Sequence, residues 1–166
     1  MVVAVILAAG FSTRLGTPKQ EIVFEGETLL QRAERLARAV ADDVIVVTPQ
    51  LNPDAAEGIA SSIRAGVRLA GNSRILIMLC DQPLITIEHL RELIAIDAPI
   101  VATGYAGIAG VPAVFAPQFA SELLALRGDR GARVVIEAHR DVTRVVIFED
   151  AAVDIDTADD LEKLKG

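Results

Sequence analysis

Six short apolar runs, at residues 2–7, 44–48, 75–80, 100–102, 111–115 and 143–148, alternate along the chain with segments of helical periodicity. Runs of this length read as strands, and their near-continuous apolar character requires cover on both sides of a sheet. This rhythm predicts an α/β fold with helices on both faces. Thr28 and Gln31 form a capping box for a helix on which Leu29, Ala33, Leu36 and Val40 recur at helical spacing. Further helices are expected to start near Thr86 and Thr157. With 166 residues, 52% of them hydrophobic, the chain has enough apolar material for one domain, expected to span 1–166.

The first apolar run ends in Leu7-Ala8-Ala9-Gly10-Phe11-Ser12-Thr13-Arg14-Leu15-Gly16-Thr17-Pro18-Lys19-Gln20. Ala8, Ala9 and Gly10 are small enough for backbone N–H groups to approach a ligand, and Arg14 and Lys19 supply charge for phosphate oxygens. Two familiar phosphate loops do not match. Gly10 and Gly16 enclose five residues where the Walker loop has four. Gly10 is followed by Phe11-Ser12, whereas the dinucleotide fingerprint needs a second glycine two positions on. In open α/β sheets ligands bind beyond the carboxyl ends of the strands. Asp81 follows the run 75–80 and the glycine loop follows the run 2–7, so both are expected at one edge of the sheet. A carboxylate would then face two cations across a cleft. As a plain turn, Asp81-Gln82-Pro83 would simply redirect the chain.

Charge and cysteine content narrow the function classes. Sixteen Lys and Arg stand against 23 Asp and Glu, a net charge of −7, which argues against nonspecific nucleic-acid binding. A small anionic ligand is compatible, because salt screens remote charge beyond about 10 Å. Cys80 is the only cysteine, so no intrachain disulfide forms and a cytoplasmic, reducing location is compatible. It reads as a small core residue at a strand end. Residues 2–9 lack the cationic segment that precedes a signal peptide, and no run reaches the roughly 18 apolar residues of a membrane span. His89 and His139 are expected on helix surfaces and have no metal-ligand spacing.

The loop resembles the nucleotide-binding signature Leu-Ala-Ala-Gly-x-Ser-x-Arg-x-Gly-x-x-Lys of the MobA-like nucleotidyltransferases. Five further segments are similar to one branch of that superfamily, the molybdenum cofactor cytidylyltransferases: Glu57 to Gly66, Cys80-Asp81-Gln82-Pro83, Gly107 to Phe115, Gly128-Asp129-Arg130-Gly131-Ala132-Arg133, and Asp154 to Leu161. They occur in family order over nearly the whole chain. The resemblance implies a three-layer α/β/α Rossmann-like nucleotidyltransferase fold around a mostly parallel mixed sheet. It also implies transfer of a cytidylyl group from CTP to the terminal phosphate of molybdopterin cofactor, with Mg²⁺ as the metal and pyrophosphate as the leaving group. Partners would be these two substrates and, transiently, a recipient molybdoenzyme or its chaperone.

The residue roles it implies are as follows. Leu7, Ala8, Ala9, Gly10, Ser12, Arg14 and Lys19 bind the nucleotide, with Arg14, Lys19 and Asp81 catalytic. Ser61, Ser62 and Arg64 serve the pyrimidine or ribose. Asp81 and Asp156 hold the metal, with Asp154 in reserve because an extended segment puts it on the same face as Asp156. Gly110, Pro112, Asp129 and Arg133 meet the acceptor. In this family Ala9 goes with cytidine and a glycine there with guanine, and its methyl would crowd a purine. The sequence departs from the family after Thr48, where Pro49-Gln50-Leu51 replaces about one helix and one strand. The alternatives are guanylyl transfer to molybdopterin, a sugar-phosphate or methylerythritol-phosphate acceptor, or a nonenzymatic cofactor-binding protein. Serines at a helix start also read as local caps, and Gly-Asp-Arg-Gly as a turn.

Overall fold

The computed structural model describes residues 1–9, 21–155 and 158–165. Along the chain run β1 (Val2–Leu7), β2 (Val23–Phe24), β3 (Glu27–Thr28), α1 (Leu29–Val40), β4 (Asp43–Val47), a 3-10 turn (Ala55–Glu57), α2 (Ile59–Ala70) and β5 (Arg74–Leu79). Then come α3 (Ile87–Ala95), β6 (Ile100–Tyr105), β7 (Ile108–Phe115), α4 (Ala120–Leu124), α5 (Arg133–Ala138), β8 (Thr143–Ile147) and α6 (Ala158–Lys165). Six strands form one sheet in the order β4-β1-β5-β7-β6-β8. Strand β1 runs parallel to β4 and β5, and β6 runs parallel to β8. Strand β7 is antiparallel to both its neighbours, which makes the sheet mixed as expected.

Alternation along the strands divides the interior into two layers. Val3, Val5 and Leu7 of β1 and Ile75 and Ile77 of β5 face Ile63 and Val67 of α2, with Leu123 and Ile136 beyond. Ala4 and Ile6, with Leu76 and Met78, face Leu36 of α1 and Leu90 and Leu93 of α3. Each fully buried Val, Leu, Ile or Met side chain among these contributes about 1.5–3 kcal/mol. Helix α2 lies close on β1, because Gly66 leaves room for the Val5 side chain that any Cβ would meet.

The caps explain where helices begin. The Thr28 side chain accepts from the Gln31 N–H and the Gln31 side chain accepts from Thr28, the reciprocal box expected for α1. Thr86 likewise caps α3 through the His89 N–H. Helix α6 starts at Ala158, close to the predicted position.

Three features differ from the sequence expectation. Strands β6 and β7 are longer than 100–102 and 111–115, since they continue through Gly104 and Gly110 into a tight turn at Ala106 (φ 49°) and Gly107 (φ 76°). These glycines interrupt the apolar pattern, but the turn needs positive φ and Gly104 makes space for Val145 and Ile147 of β8. The hairpin of β2 and β3 turns on Glu25 (φ 53°) and Gly26 (φ 85°), a pairing the sequence only weakly signals. His89 is not on a helix surface. It is 3% exposed, stacks on Phe148 with ring centroids 4.5 Å apart, and shares a 2.8 Å hydrogen bond with the Thr103 hydroxyl. Thr103 in turn donates to the Pro112 carbonyl, so His89 Nε2 carries the hydrogen that Thr103 accepts. Burial pushes the His89 pKa down, against a smaller opposing field from Glu92, and favours the neutral ring.

Candidate active site

The carboxyl ends of β1, β4 and β5 lie side by side, and Ala8 N–H extends the β1 ladder by donating to the Val47 carbonyl at 2.9 Å. That amide is engaged in the sheet, so ligand-facing amides would have to come from later in the loop. Leu7, Ala8 and Ala9 on one side and Leu79, Cys80 and Asp81 on the other border a cavity of about 310 Å³. Gly58, Ile59 and Ser62 at the start of α2 close its third side. Cys80 is buried as expected of a core residue, and also reaches this cavity. Positions Gly10, Ser12, Arg14, Lys19 and Asp156 lie outside the described residues.

A second cleft of about 140 Å³ adjoins the first and shares Leu7, Ile59 and Leu79 with it. Its far end is lined by Tyr105, Gly110, Val111 and Arg133. The structure thus brings Asp81, Ala8, Ala9 and Ser62 to one compartment and Gly110 and Arg133 to its neighbour. Pro112 is not among the residues that line either cleft, and its carbonyl accepts from Thr103. Arg133 is exposed and 3.9 Å from Glu137, a separation at which it is free to swing.

The serines after Gly58 are held by a residue the sequence reading passed over. Asn52, 4% exposed, donates through Nδ2 to both Ser61 and Ser62 at 2.9 Å, and Ser61 donates onward to the Gly58 carbonyl. Ser61 is therefore committed to fixing the first turn of α2. Ser62 keeps a hydroxyl hydrogen to donate to an occupant of the cavity it lines. The signal was the polar Asn52 between apolar runs, close to a helix start it could brace.

Arg64 does not reach either compartment. Its guanidinium forms a fork with Glu57 (2.6 and 2.9 Å) and donates to the Leu126 carbonyl at 2.8 Å. Glu57 also accepts from Gly128 N–H at 3.0 Å, while Ala60 N–H donates to the Gly128 carbonyl. These bonds tie the start of α2, a wall of the cavity, to the Gly128-Asp129 loop that leads to Arg133. The Arg64 hydrogen bonds hold the Glu57 carboxyl down at about 2, with the Gly128 N–H adding to the effect. A carboxyl depressed in the fold stabilises it above its unfolded pKa near 4.5, and that contribution is lost as pH falls towards 2. Urea midpoints of the wild type and Glu57→Gln should therefore differ most above pH 4.5 and converge as pH approaches 2. A gap that persists at the acid end would assign the effect to packing instead.

The acidic C-terminal segment returns to the same edge. Ile155 N–H donates to the Asp81 carbonyl at 3.1 Å, which lays residues 153–155 along the end of β5. The charges of Asp154 and Asp81 both act on the Tyr105 phenol, and that of Arg133 acts on it with opposite sign. Gln82, 6% exposed, donates to the Val111 and Ala151 carbonyls and clamps this segment against β7. Gln82 and Tyr105 are further residues the sequence reading passed over, the first adjacent to Asp81 and the second the only tyrosine.

The chain is similar to several known proteins. The structure of Rv0371c from Mycobacterium tuberculosis H37Rv superimposes with a TM-score of 0.85 at 29% identity, covering 98% of this chain and 96% of that one. A manganese complex of the same protein gives 0.76 at 28% identity, covering 98% and 97%. By sequence, the purine catabolism protein PucB of Bacillus subtilis is 28% identical over 165 residues, 82% of this chain and 80% of PucB. A probable molybdenum cofactor guanylyltransferase of Nostoc is 31% identical over 103 residues, 54% of this chain and 50% of its own length. The family model of the MobA-like NTP transferase domain matches residues 4–142, so the chain belongs to the MobA-like nucleotidyltransferase family.

Proposed function

We propose that this nucleotidyltransferase moves a cytidylyl group from CTP to the terminal phosphate of molybdopterin cofactor, as a single domain over 1–166 shortened after residue 48. The observation that carries this reading is the pair of joined compartments, one bordered by β1, α2 and Asp81 and the other by Gly110 and Arg133. Such a pair suits a donor nucleotide and an acceptor meeting near Asp81. The Nostoc relative's name supports a molybdenum cofactor as acceptor and equally keeps guanylyl transfer in view. Ala9, buried in the cavity wall, supports the smaller base, since its methyl takes space that a purine would need.

In the reaction an acceptor phosphate oxygen attacks the α-phosphorus of CTP, the α–β bridging P–O bond breaks, and pyrophosphate leaves with its electron pair. The protein supplies no nucleophile and works by positioning and neutralising charge. Ser62 orients the nucleoside. Arg14 and Lys19 take up charge on the departing pyrophosphate. Arg133 receives the acceptor phosphate and Asp129 its nitrogen donors.

A divalent cation fits the donor set. Asp81 brings a carboxylate to the cavity, and the Ile155 to Asp81 hydrogen bond lays a second acid-bearing segment against it. Carboxylates are the hard oxygen donors that Mg²⁺ prefers. Among the described residues no group of three metal-binding side chains is present, so water and phosphate oxygens would complete the shell. Asp81 with Asp156 or Asp154 would hold the ion, and when bound it would offset charge on the triphosphate. The manganese complex of Rv0371c supports a divalent ion in this fold. No described helix is long and apolar enough to cross a membrane. We place the activity in the cytoplasm, where substrates and recipient enzyme would meet.

The test is pyrophosphate release with Mg²⁺, metal-loaded molybdopterin, and CTP, GTP, ATP or UTP in separate reactions. Release confined to CTP is expected. Release with GTP alone would establish the guanylyl alternative, and release without molybdopterin but with a sugar phosphate would move the acceptor.

A further inference from the structure

Tyr105 ends β6 with its ring laid across Gly110 of β7. A methyl at Gly110 would come within 3.0 Å of the phenol oxygen and 3.4 Å of the ring edge. The ring thus fills the space a side chain at 110 would need, and the absence of that side chain fixes where the phenol points. The phenol lines the second cleft together with Arg133. The cleft walls are otherwise largely apolar, with Leu7, Ile59 and Leu79 at the junction with the first compartment. Two of the residues that line the cleft carry donors, the phenol O–H of Tyr105 and the guanidinium of Arg133. Apolar walls with two donor-bearing residues suit an oxyanion attached to a less polar body.

We propose that Tyr105 is an acceptor-binding residue. Its phenol O–H and the Arg133 guanidinium hold oxygens of the acceptor's terminal phosphate and turn a remaining oxygen towards the α-phosphorus of the nucleotide. This rests on the reading above that the acceptor is a phosphate ester and that it occupies the second cleft. Tyr105 is suited to donate, because burial keeps the phenol protonated, as do the carboxylates of Asp154 and Asp81, with Arg133 opposing. A phenolate in this position would repel the phosphate. The geometry also gives Gly110 a specific task, which is to seat the ring.

Tyr105 is the only tyrosine of a chain that has no tryptophan, so a spectroscopic probe placed on tyrosine reports this site alone. In protein labelled with 3-fluorotyrosine, a single fluorine resonance is expected. It should shift saturably on addition of molybdopterin and stay in place on addition of CTP and Mg²⁺. In steady-state pyrophosphate release, Tyr105→Phe should raise the acceptor KM about 10- to 100-fold, the range for losing a hydrogen bond to a charged group, with the CTP KM within about twofold of wild type. A resonance that ignores molybdopterin while wild-type release proceeds would overturn the Tyr105 assignment and leave the proposed function standing. So would a resonance that answers to CTP alone. A saturable shift with molybdopterin and no release from any nucleotide would support Tyr105 as the phosphate-binding residue and reject the transfer reaction. The fluorine measurement uses the unmutated chain and does not depend on a variant folding.

Discussion

Asp81→Asn is expected to cut pyrophosphate release by about 10²- to 10³-fold or more while the fold persists. The position lies two residues beyond the end of β5 at Leu79, where it borders the 310 Å³ cavity. The main-chain link that holds the C-terminal segment there uses the Asp81 carbonyl, which an asparagine retains. The substitution is nearly isosteric, removes the charge and exchanges one acceptor oxygen for an NH₂ donor. An asparagine amide presents one oxygen and an NH₂, so it both weakens a hard-cation site and turns a donor towards phosphate or metal. The readouts are pyrophosphate release with saturating CTP and a thermal unfolding midpoint. Turnover within tenfold of wild type, in protein that melts normally, would remove Asp81 from the metal site. A large fall in the melting midpoint would show instead that the carboxylate is structural.

The sequence disclosed the scaffold better than the joints. Strands β1 and β5 were legible because Val2 to Leu7 and Ile75 to Leu79 are apolar without interruption, the pattern of a strand covered on both faces. The start of α1 was legible because a capping box is a local device written in Thr28 and Gln31. The same holds for the edge of the sheet that carries Asp81, which follows from topology alone. What stayed hidden depends on contacts between distant segments. Arg64 reads equally well as a ligand-binding cation or a structural one, and only the approach of Glu57 and the Leu126 carbonyl decides its placement. His89 looked like a solvated position because its partner Thr103 and its stacking neighbour Phe148 come from β6 and from the segment after β8. Tyr105 fell between the apolar runs 100–102 and 111–115, whereas Gly104 and Gly110 leave space for the side chains that lean across them. The position of Arg14 and Lys19 relative to Asp81 is outside the described residues and rests on the proposed reaction.

Gly58→Ala should lower stability by about 2–5 kcal/mol and disable both compartments together. Gly58 caps α2 with φ 129° and ψ −179°, a region that side chains other than hydrogen scarcely visit and that costs about 1–3 kcal/mol. A Cβ there would also overlap the Gly128 carbonyl and the Asp129 carboxylate; the exposed Asp129 side chain can swing aside, but the backbone carbonyl, which accepts from Ala60 N–H, cannot. Relief would require separating α2 from the Gly128-Asp129 loop, which strains the Glu57 bonds to Arg64 and to Gly128 N–H at the same time. The cavity wall at Ile59 and Ser62 would then shift against Leu7 and Leu79. Because the same loop leads to Arg133, an altered KM is expected for acceptor as well as nucleotide. Gly26→Ala is the matching control, with φ 85° but open space around the Cβ position, and should cost only about 1–2 kcal/mol with both KM values unchanged. Urea unfolding and two-substrate kinetics on the pair of variants would measure both. Equal destabilisation of the two would mean that backbone conformation alone matters at Gly58. A change in one KM without the other would mean that the tie between α2 and the Gly128 loop does not couple the two compartments.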